Sequence, residues 1–318
     1  MVNPLAEVAV HASRYVSMRF ALVAQRRTET NARLAAAPCR GIEWSCLTPS
    51  EALHALVPGD VALGRLDVLR TLDGIDDGLW SLGELAAAGV RVLNGPSALL
   101  AAHDKLLTAR LLHGAGLPHP RTRLAVAAAT VPAIERPVVV KPRFGSWGKD
   151  VVRCGDAEEL ARHIGSLTQE RWFRRHGALV QELVEPRGFD LRIVVAGGAV
   201  VGAIERVAAP GEWRTNVAHG ARRMPVSPPL EAQRLALAAA QAAGIDLVGV
   251  DLLPDGDGWT VIELNGAVDF TSDYSLDRDI FAAASFELAR AALGCPRMPA
   301  DDPVDVAPDE PEIVTLAE

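Results

Sequence analysis

Residues 247–265, LVGVDLLPDGDGWTVIELN, constrain the chain most, because two apolar runs of strand length flank a polar turn segment. Leu247 to Leu253 and Trp259 to Asn265, joined by Pro254 to Gly258, are expected to pair as an antiparallel hairpin. Glu263 and Asn265 are two apart, so their side chains leave the same face. Asp251 and Glu263 each stand six residues from Asp257, and a turn symmetric about Asp257 sets them opposite each other. Like charges facing across a sheet destabilise it unless a proton or cation intervenes. A hard divalent ion with oxygen ligands reverses the sign. A solvated hairpin face is the alternative.

The remaining patterns predict an α/β (α+β) chain of about two domains. Met18 to Ala24 reads as a strand followed by a helix through Ala37. Ile42 to Cys46, Val61 to Leu63 and Val90 to Leu93 supply further apolar runs, and Ser81 to Ala88 reads as a helix closed by Gly89. This alternation predicts a small parallel sheet. A second unit begins near Asn94, with a helix over 104–113 and strands at Pro137–Pro142 and Val151–Arg153. A helix at Ala157–Ile164 precedes strands at Leu179–Val184, Leu191–Ala196 and Ala199–Arg206, the last two joined by a Gly197-Gly198 hairpin turn. Ser227 and Pro228 are expected to cap and begin a helix, Leu230 to Ala243, that Gly244 ends. A final helix, Ile280 to Leu293, completes the series.

The net charge of −8 is concentrated at one end: residues 301–318 carry seven acidic residues and no Lys or Arg. The rest is near neutral with no basic block, which argues against nucleic acid as a partner. The four cysteines form no C-x-x-C pair and read as reduced thiols. No stretch nears 18 uninterrupted apolar residues, and Glu7, Arg14 and Arg19 interrupt any signal-like segment, so a cytoplasmic chain with no membrane partner is expected.

Lys141 ends the apolar run PVVVK and is followed by RFGSWGKD, with Gly145, Ser146, Trp147, Gly148 and Lys149. A lysine in a buried strand requires an anion, and the glycines let backbone N–H groups approach phosphate oxygens. The G-x-x-x-x-G-K-[ST] spacing is absent, and a lysine snorkelling from a strand end is the alternative. Asp190 and Arg192 share a strand face, while Arg206, Arg214 and Asn216 crowd the segment after the hairpin. Such a set suits bidentate grip on a carboxylate or phosphate, or else a surface charge network. The second reading also covers Lys105, beside His103 and Asp104. No zinc spacing or G-x-S-x-G elbow occurs, and His219 has no recognisable nucleophile partner.

The order HDKLLTARLLHGAGLPHPRT, VVVKPRFGSWGKDVV, LVQELVEPRGFDLRIVV, IERVAAPGEWRTNVAHGA, GVDLLPDGDGWTVIELN resembles the ATP-grasp superfamily, and within it the RimK-like amino-acid ligases. The resemblance spans about Asn94 to Asn265. It implies an ATP-grasp fold over 95–298, with a nucleotide-flap part at about 105–176 and a metal and substrate part at about 177–298. A pre-ATP-grasp α/β domain over 18–94, an extension over 1–17 and a disordered acidic tail over 299–318 complete the expected organisation.

By the same resemblance, Lys105 and Lys141 look like the phosphate-binding lysines and Phe144 to Lys149 like the flap. Gln181, Glu182, Leu183 and Val184 look like the adenine-facing linker, with Glu185 and Asp190 for ribose or adenine. Arg206 and Asn216 look like substrate and acyl-phosphate contacts, with Arg192 and Arg214 beside them as further catalytic candidates, and Asp251, Glu263 and Asn265 look like magnesium ligands. The implied enzyme is an ATP-dependent carboxylate–amine ligase using ATP and two Mg2+ ions, with Mn2+ able to substitute. Its partners would be a small-molecule or peptide carboxylate, an amino-acid amine such as that of glutamate, and a carrier protein; a homo-oligomer is expected. The sequence after Asn265, Gly266 to Phe270, departs from the Ser-x-Pro-Gly of many relatives and leaves the substrate open. An ATP-grasp kinase and a non-catalytic nucleotide module are the rival readings.

Overall fold

The computed structural model describes residues 19–37, 42, 44–127 and 133–295. The expected extension over 1–17, Cys39 and the expected acidic tail lie outside the described residues.

Three sheets organise the chain. In the first, strands β1 (Phe20–Val23), β2 (Trp44–Leu47), β3 (Val61–Gly64) and β4 (Arg91–Leu93) pair in parallel in the order β2-β1-β3-β4. Every residue of the central strands β1 and β3 is buried, as a parallel sheet covered on both faces requires. Helices α1 (Glu29–Ala36), α2 (Pro49–Ala55) and α3 (Leu79–Ala87) connect the strands. The unforeseen helix α2 has a complete capping box, Thr48 with Glu51, and a proline in its first turn.

Two further helices follow, α4 (Pro96–His103) and α5 (Lys105–Gly114), where only the second was expected. Asp104 separates them: its extended backbone ends α4, and its carboxylate caps α5 by accepting from Leu106 N at 3.1 Å.

The second sheet is antiparallel, in the order β5-β8-β6-β7, from β5 (Thr122–Ala125), β6 (Val138–Pro142), β7 (Val152–Cys154) and β8 (Ala178–Glu182). Val138, Val140 and Val180 pack with Leu160, Ile164 and Leu167 of helix α6 (Ala157–Leu167) and with Trp172 and Phe173 of α7 (Arg171–His176). The period of two then turns Val139, Lys141 and Gln181 to the opposite face.

The third sheet is antiparallel, in the order β11-β10-β9-β12-β13, from β9 (Phe189–Ala196), β10 (Ala199–Val207), β11 (Arg222–Pro225), β12 (Leu247–Asp255) and β13 (Gly258–Asn265). Gly197 and Gly198 turn the β9–β10 hairpin at φ 52° and 78°, as the Gly-Gly signal requires. Leu191, Ile193 and Val195 face an alanine stripe, Ala232, Ala236, Ala239, Ala240 and Ala243, on helix α8 (Leu230–Ala243). Val194 and Ala196 face helix α9 (Ile280–Ala292) in a core that continues into Phe20, Leu22, Val61 and Leu63 of the parallel sheet. Asn94 fastens the same junction, its Oδ1 accepting from Asp246 N and Leu247 N at 2.9 Å each.

Two local expectations are corrected. The N-cap of α8 is Pro229, with extended backbone and no side-chain cap bond, because Pro229 disfavours helical geometry at Pro228 and moves the start past both prolines. The β12–β13 turn is two residues, Gly256-Asp257, with Asp255 paired to Gly258, so the strands are longer than expected.

Candidate active site

Lys141 is 6% exposed on the free face of β6, with its Nζ donating to Gln181 Oε1 at 2.7 Å. Burial pushes its pKa down from 10.5 to about 8, with Lys105 nearby adding to the effect and the Glu263 and Asp251 charges opposing it. Gln181 is fixed from behind, its Nε2 donating to Thr122 Oγ1 at 2.8 Å and lying 3.2 Å from His119 Nε2. Burial and Lys141 hold His119 neutral, at a pKa of about 4. Its Nδ1 lies 2.8 Å from Val261 O, which assigns the proton there and leaves Nε2 to accept from Gln181.

Lys105, the first residue of α5, pairs with Glu263 Oε1 at 2.9 Å and donates to Gly145 O. The Gly145 to Lys149 loop thus touches the lysine at its start. Trp147 sits at φ 58° and is 49% exposed, with the Arg70 guanidinium 5.8 Å from its ring centroid. Lys149 donates to Arg70 O at 3.2 Å. At Gly148, φ 69°, a Cβ would fall 2.6 Å from Asn216 Oδ1 and 3.0 Å from His219 Nε2, so any other residue would be strained and would push both side chains.

On the facing sheet, Asp251 is opposite Glu263 as expected, but by another route. The two-residue turn sets Leu252 against Val261, and a bulge at Ile262 then adds the residue that brings Glu263 level with Asp251. Val261 and Leu264 consequently both enter the core although they are three apart, while Glu263 lines the cleft.

The two carboxylates are compensated without a metal. Asp251 accepts from Arg192 Nε and Nη2 at 2.7 Å each, and Arg206 Nη2 lies 3.0 Å from Asp251 Oδ2. Although burial alone would raise it, these guanidinium groups hold the Asp251 pKa down at about 2. Arg206 also bonds both oxygens of Asp190, and Thr215 Oγ1 donates to Asp190 Oδ2 at 2.6 Å. Burial opposes the Arg206 charge, but Asp251 and Asp190 raise its pKa well above the ordinary value. Thr215, which sequence reading passed over, is legible only as the middle of Arg214-Thr215-Asn216.

A cleft of about 960 Å³ brings most expected residues together. Lys105, Lys141, Gly145, Ser146 and Gly148 line it on one side, and Arg206, Arg214, Asn216, Asp251 and Glu263 on the other. Gln181, Glu182, Leu183, Val184 and Asp190 also line it, with apolar Val139, Leu253 and Ile262. Glu185 is exposed and does not line it. Arg214 is held by Glu212, with bonds of 3.0 and 2.8 Å.

Arg192, Asn265 and Trp147 line a second cavity of about 940 Å³. It shares Lys105, Gly145, Ser146, Arg206, Asn216 and Glu263 with the first. Arg223 and Tyr274, neither foreseen as functional, also line it. Among the described residues no three His, Cys, Asp or Glu groups could hold a metal by themselves. Asp251, Glu263 and Asn265 offer two carboxylates and an amide, a donor set that fits a hard cation whose other ligands are phosphate and water oxygens.

Residues 102–286 match the model of the RimK-like ATP-grasp domain. The chain is 32% identical to the tetrahydromethanopterin:alpha-L-glutamate ligase of Methanosarcina acetivorans, over 68% of this chain and 78% of that protein. It is 31% identical to the glutamate–LysW ligase ArgX of Sulfurisphaera tokodaii, over 67% and 78%. Among solved structures, it resembles a RimK domain ATP-grasp protein from Sphaerobacter thermophilus at 25% identity and TM-score 0.59, covering 87% of this chain and 98% of that one. The D-alanine–D-alanine ligase from Bacillus anthracis, at 16% identity and TM-score 0.61 over 88% and 97%, shares the fold.

Proposed function

Because this chain belongs to the RimK-like ATP-grasp family, we propose that its cleft activates a carboxylate with ATP and passes it to the amine of glutamate or a similar amino acid. The chain is an ATP-dependent carbon–nitrogen ligase. The observation that carries the finer reading is the meeting of the buried cation Lys141 with the Lys105–Glu263 pair and Asp251 in one cleft.

Lys105 and Lys141 hold the ATP phosphates, with the Gly145 to Lys149 loop laid over them. The adenine lies against the apolar lining Val139, Leu183, Val184, Leu253 and Ile262, next to Gln181 and Glu182. Glu185 meets the ribose only if its exposed side chain turns toward the cleft. Asp190, with both oxygens engaged, keeps Arg206 in place rather than touching the nucleotide. Asp251, Glu263 and Asn265 would hold magnesium, two ions by the family pattern and replaceable by manganese, with Asp251 giving up part of its grip on Arg192 and Arg206 to do so; the metal would supply charge that offsets the phosphate oxygens.

A carboxylate oxygen of the acceptor attacks the terminal phosphorus of ATP, and ADP leaves. The amine then adds to the acyl carbon, loses a proton and expels phosphate. Arg192, Arg206, Arg214 and Asn216 bear on the charge that moves between these groups, and donors already fixed in place stabilise it without reorganising. The relatives that join glutamate to a pterin or to LysW support an acceptor that is a small molecule, a peptide or a carrier protein.

The test is hydroxylamine trapping. Purified chain with ATP, magnesium and its carboxylate should yield a hydroxamate equal in amount to the ADP formed. ADP accompanied by a hydroxyl-phosphorylated product and no hydroxamate would make the chain a kinase. ATP binding with no ADP formed in the presence of any carboxylate would make it a nucleotide module.

A further inference from the structure

The cations around the second cavity do not balance. Lys105 is matched by Glu263, Arg206 by Asp190 and Asp251, and Arg192 by Asp251. Arg223, on the edge strand β11, lines the cavity directly opposite Arg206 in the β10–β11 register and has no ion pair among the described residues. Like charges opposed on neighbouring strands are unfavourable, and an anion beside them relieves the repulsion. The cavity's outer carboxylates do not serve: Asp67 is paired with Arg26 and Asp269 with Arg65.

Tyr274 supplies an independent sign. It is 2% exposed and lines the same cavity, yet its hydroxyl has no hydrogen bond among the described residues. Its backbone is seated on β10, where a Cβ at Gly202 would fall 2.6 Å from Tyr274 O. The ring is buried while the hydroxyl, with no protein partner among the described residues, opens onto the cavity and is placed to donate to a ligand there.

We infer that the second cavity binds the amine-donating amino acid, and that Arg223 and Tyr274 hold a carboxylate of it remote from the reacting amine. This rests on the ligase reading above. One unmatched guanidinium and one unpaired phenol suit a single planar carboxylate, which accepts from both. The cavity meets the ATP cleft at Lys105, Ser146 and Asn216, so an amino acid anchored at Arg223 directs its other end toward the phosphate.

The experiment is calorimetric titration of L-glutamate into the full chain carrying Mg2+ and a non-hydrolysable ATP analogue. Arg223→Gln and Tyr274→Phe are each expected to weaken glutamate at least tenfold while changing analogue affinity less than twofold. L-glutamine, which lacks the carboxylate remote from the amine, should bind the unaltered chain as weakly as glutamate binds the variants, whereas L-isoglutamine, which keeps it, should lose affinity in the variants as glutamate does. Inorganic phosphate should not compete. Tyr274→Phe keeps the buried ring and Arg223 is exposed, and unchanged melting temperatures would verify that both variants fold. If Arg223→Gln is unstable, Arg223→Lys replaces it, with a weaker grip expected from a point charge. No glutamate binding to the unaltered chain, unchanged affinity in both variants, or an equal loss of nucleotide affinity would overturn the site. The ligase reading is judged separately: hydroxamate without glutamate binding removes this site alone, and Arg223-dependent glutamate binding without hydroxamate removes the ligase reading alone.

Discussion

Lys141 and Arg206 are buried cations on facing walls of one cleft, and their surroundings treat them oppositely. Arg206 is flanked by Asp190 and Asp251, and its charged form is favoured despite its burial. Lys141 has a neutral amide as its nearest partner, and its charged form is disfavoured. Desolvation is common to both, so the counter-ion decides the sign. A compensated buried charge is scaffold; an uncompensated one is a vacancy for an anion, and here it faces the cleft.

The largest effect expected from breaking this contrast is at Arg206→Ala. Asp190 would keep only Thr215 and Asp251 only Arg192, and a buried pair broken on one side costs about 3–5 kcal/mol. Urea denaturation would measure it, and a loss under about 1 kcal/mol would mean the network is not structural.

Lys141→Met should act in the opposite direction on stability. The Lys141 pKa is about 8 in the folded chain against an ordinary 10.5, so between these values the unfolded chain binds more protons and stability rises with pH. Below pH 8 the full penalty stands, about 3 kcal/mol for a shift of this size, part of which returns as a cost when Gln181 loses its donor. The variant should therefore be more stable than the parent by roughly 1–3 kcal/mol at pH 7, with that advantage lost as pH rises through 8 toward 10.5, where only the cost at Gln181 remains, and should bind ATP far more weakly. A melting series from pH 6 to 10 in which the variant is never the more stable would show that the lysine is not a buried cost.

Gly148→Ala tests the loop that closes over the lysine wall. A non-glycine residue in left-handed geometry costs about 1–2 kcal/mol, and the new methyl collides with Asn216 and His219. Turnover should fall about tenfold, with global stability little changed because the loop is half exposed. Normal turnover would show that the loop works in another position.

The smallest effect is expected in the stability of Glu263→Gln. Glu263 is 23% exposed and its pair with Lys105 is partly solvated, so the change should stay within about 1 kcal/mol. Magnesium-dependent ADP release should nonetheless disappear. A variant that turns over normally would leave Glu263 as no more than the partner of Lys105.

The sequence by itself determined whatever rests on near neighbours. VVVK placed Lys141 on a buried strand, Gly197-Gly198 set a hairpin, and Gly244 ended α8 in left-handed geometry, because turn dihedrals and strand period are local properties. The order of the five motifs carried the family for the same reason, each being a contiguous stretch. The tertiary structure alone decided what depends on long-range pairing. Two errors in the β12–β13 hairpin, a turn read too long and a bulge unseen, cancelled to leave Asp251 facing Glu263. No spacing rule pairs Arg192 with Asp251 or Arg206 with both Asp190 and Asp251, since those partners are chosen by sheet register and desolvation across up to 59 residues of chain. Arg223 and Tyr274 read as an ordinary edge residue and a core aromatic until packing sets them beside one cavity, where, among the described residues, an unmatched charge and a hydroxyl with no protein partner face the same space.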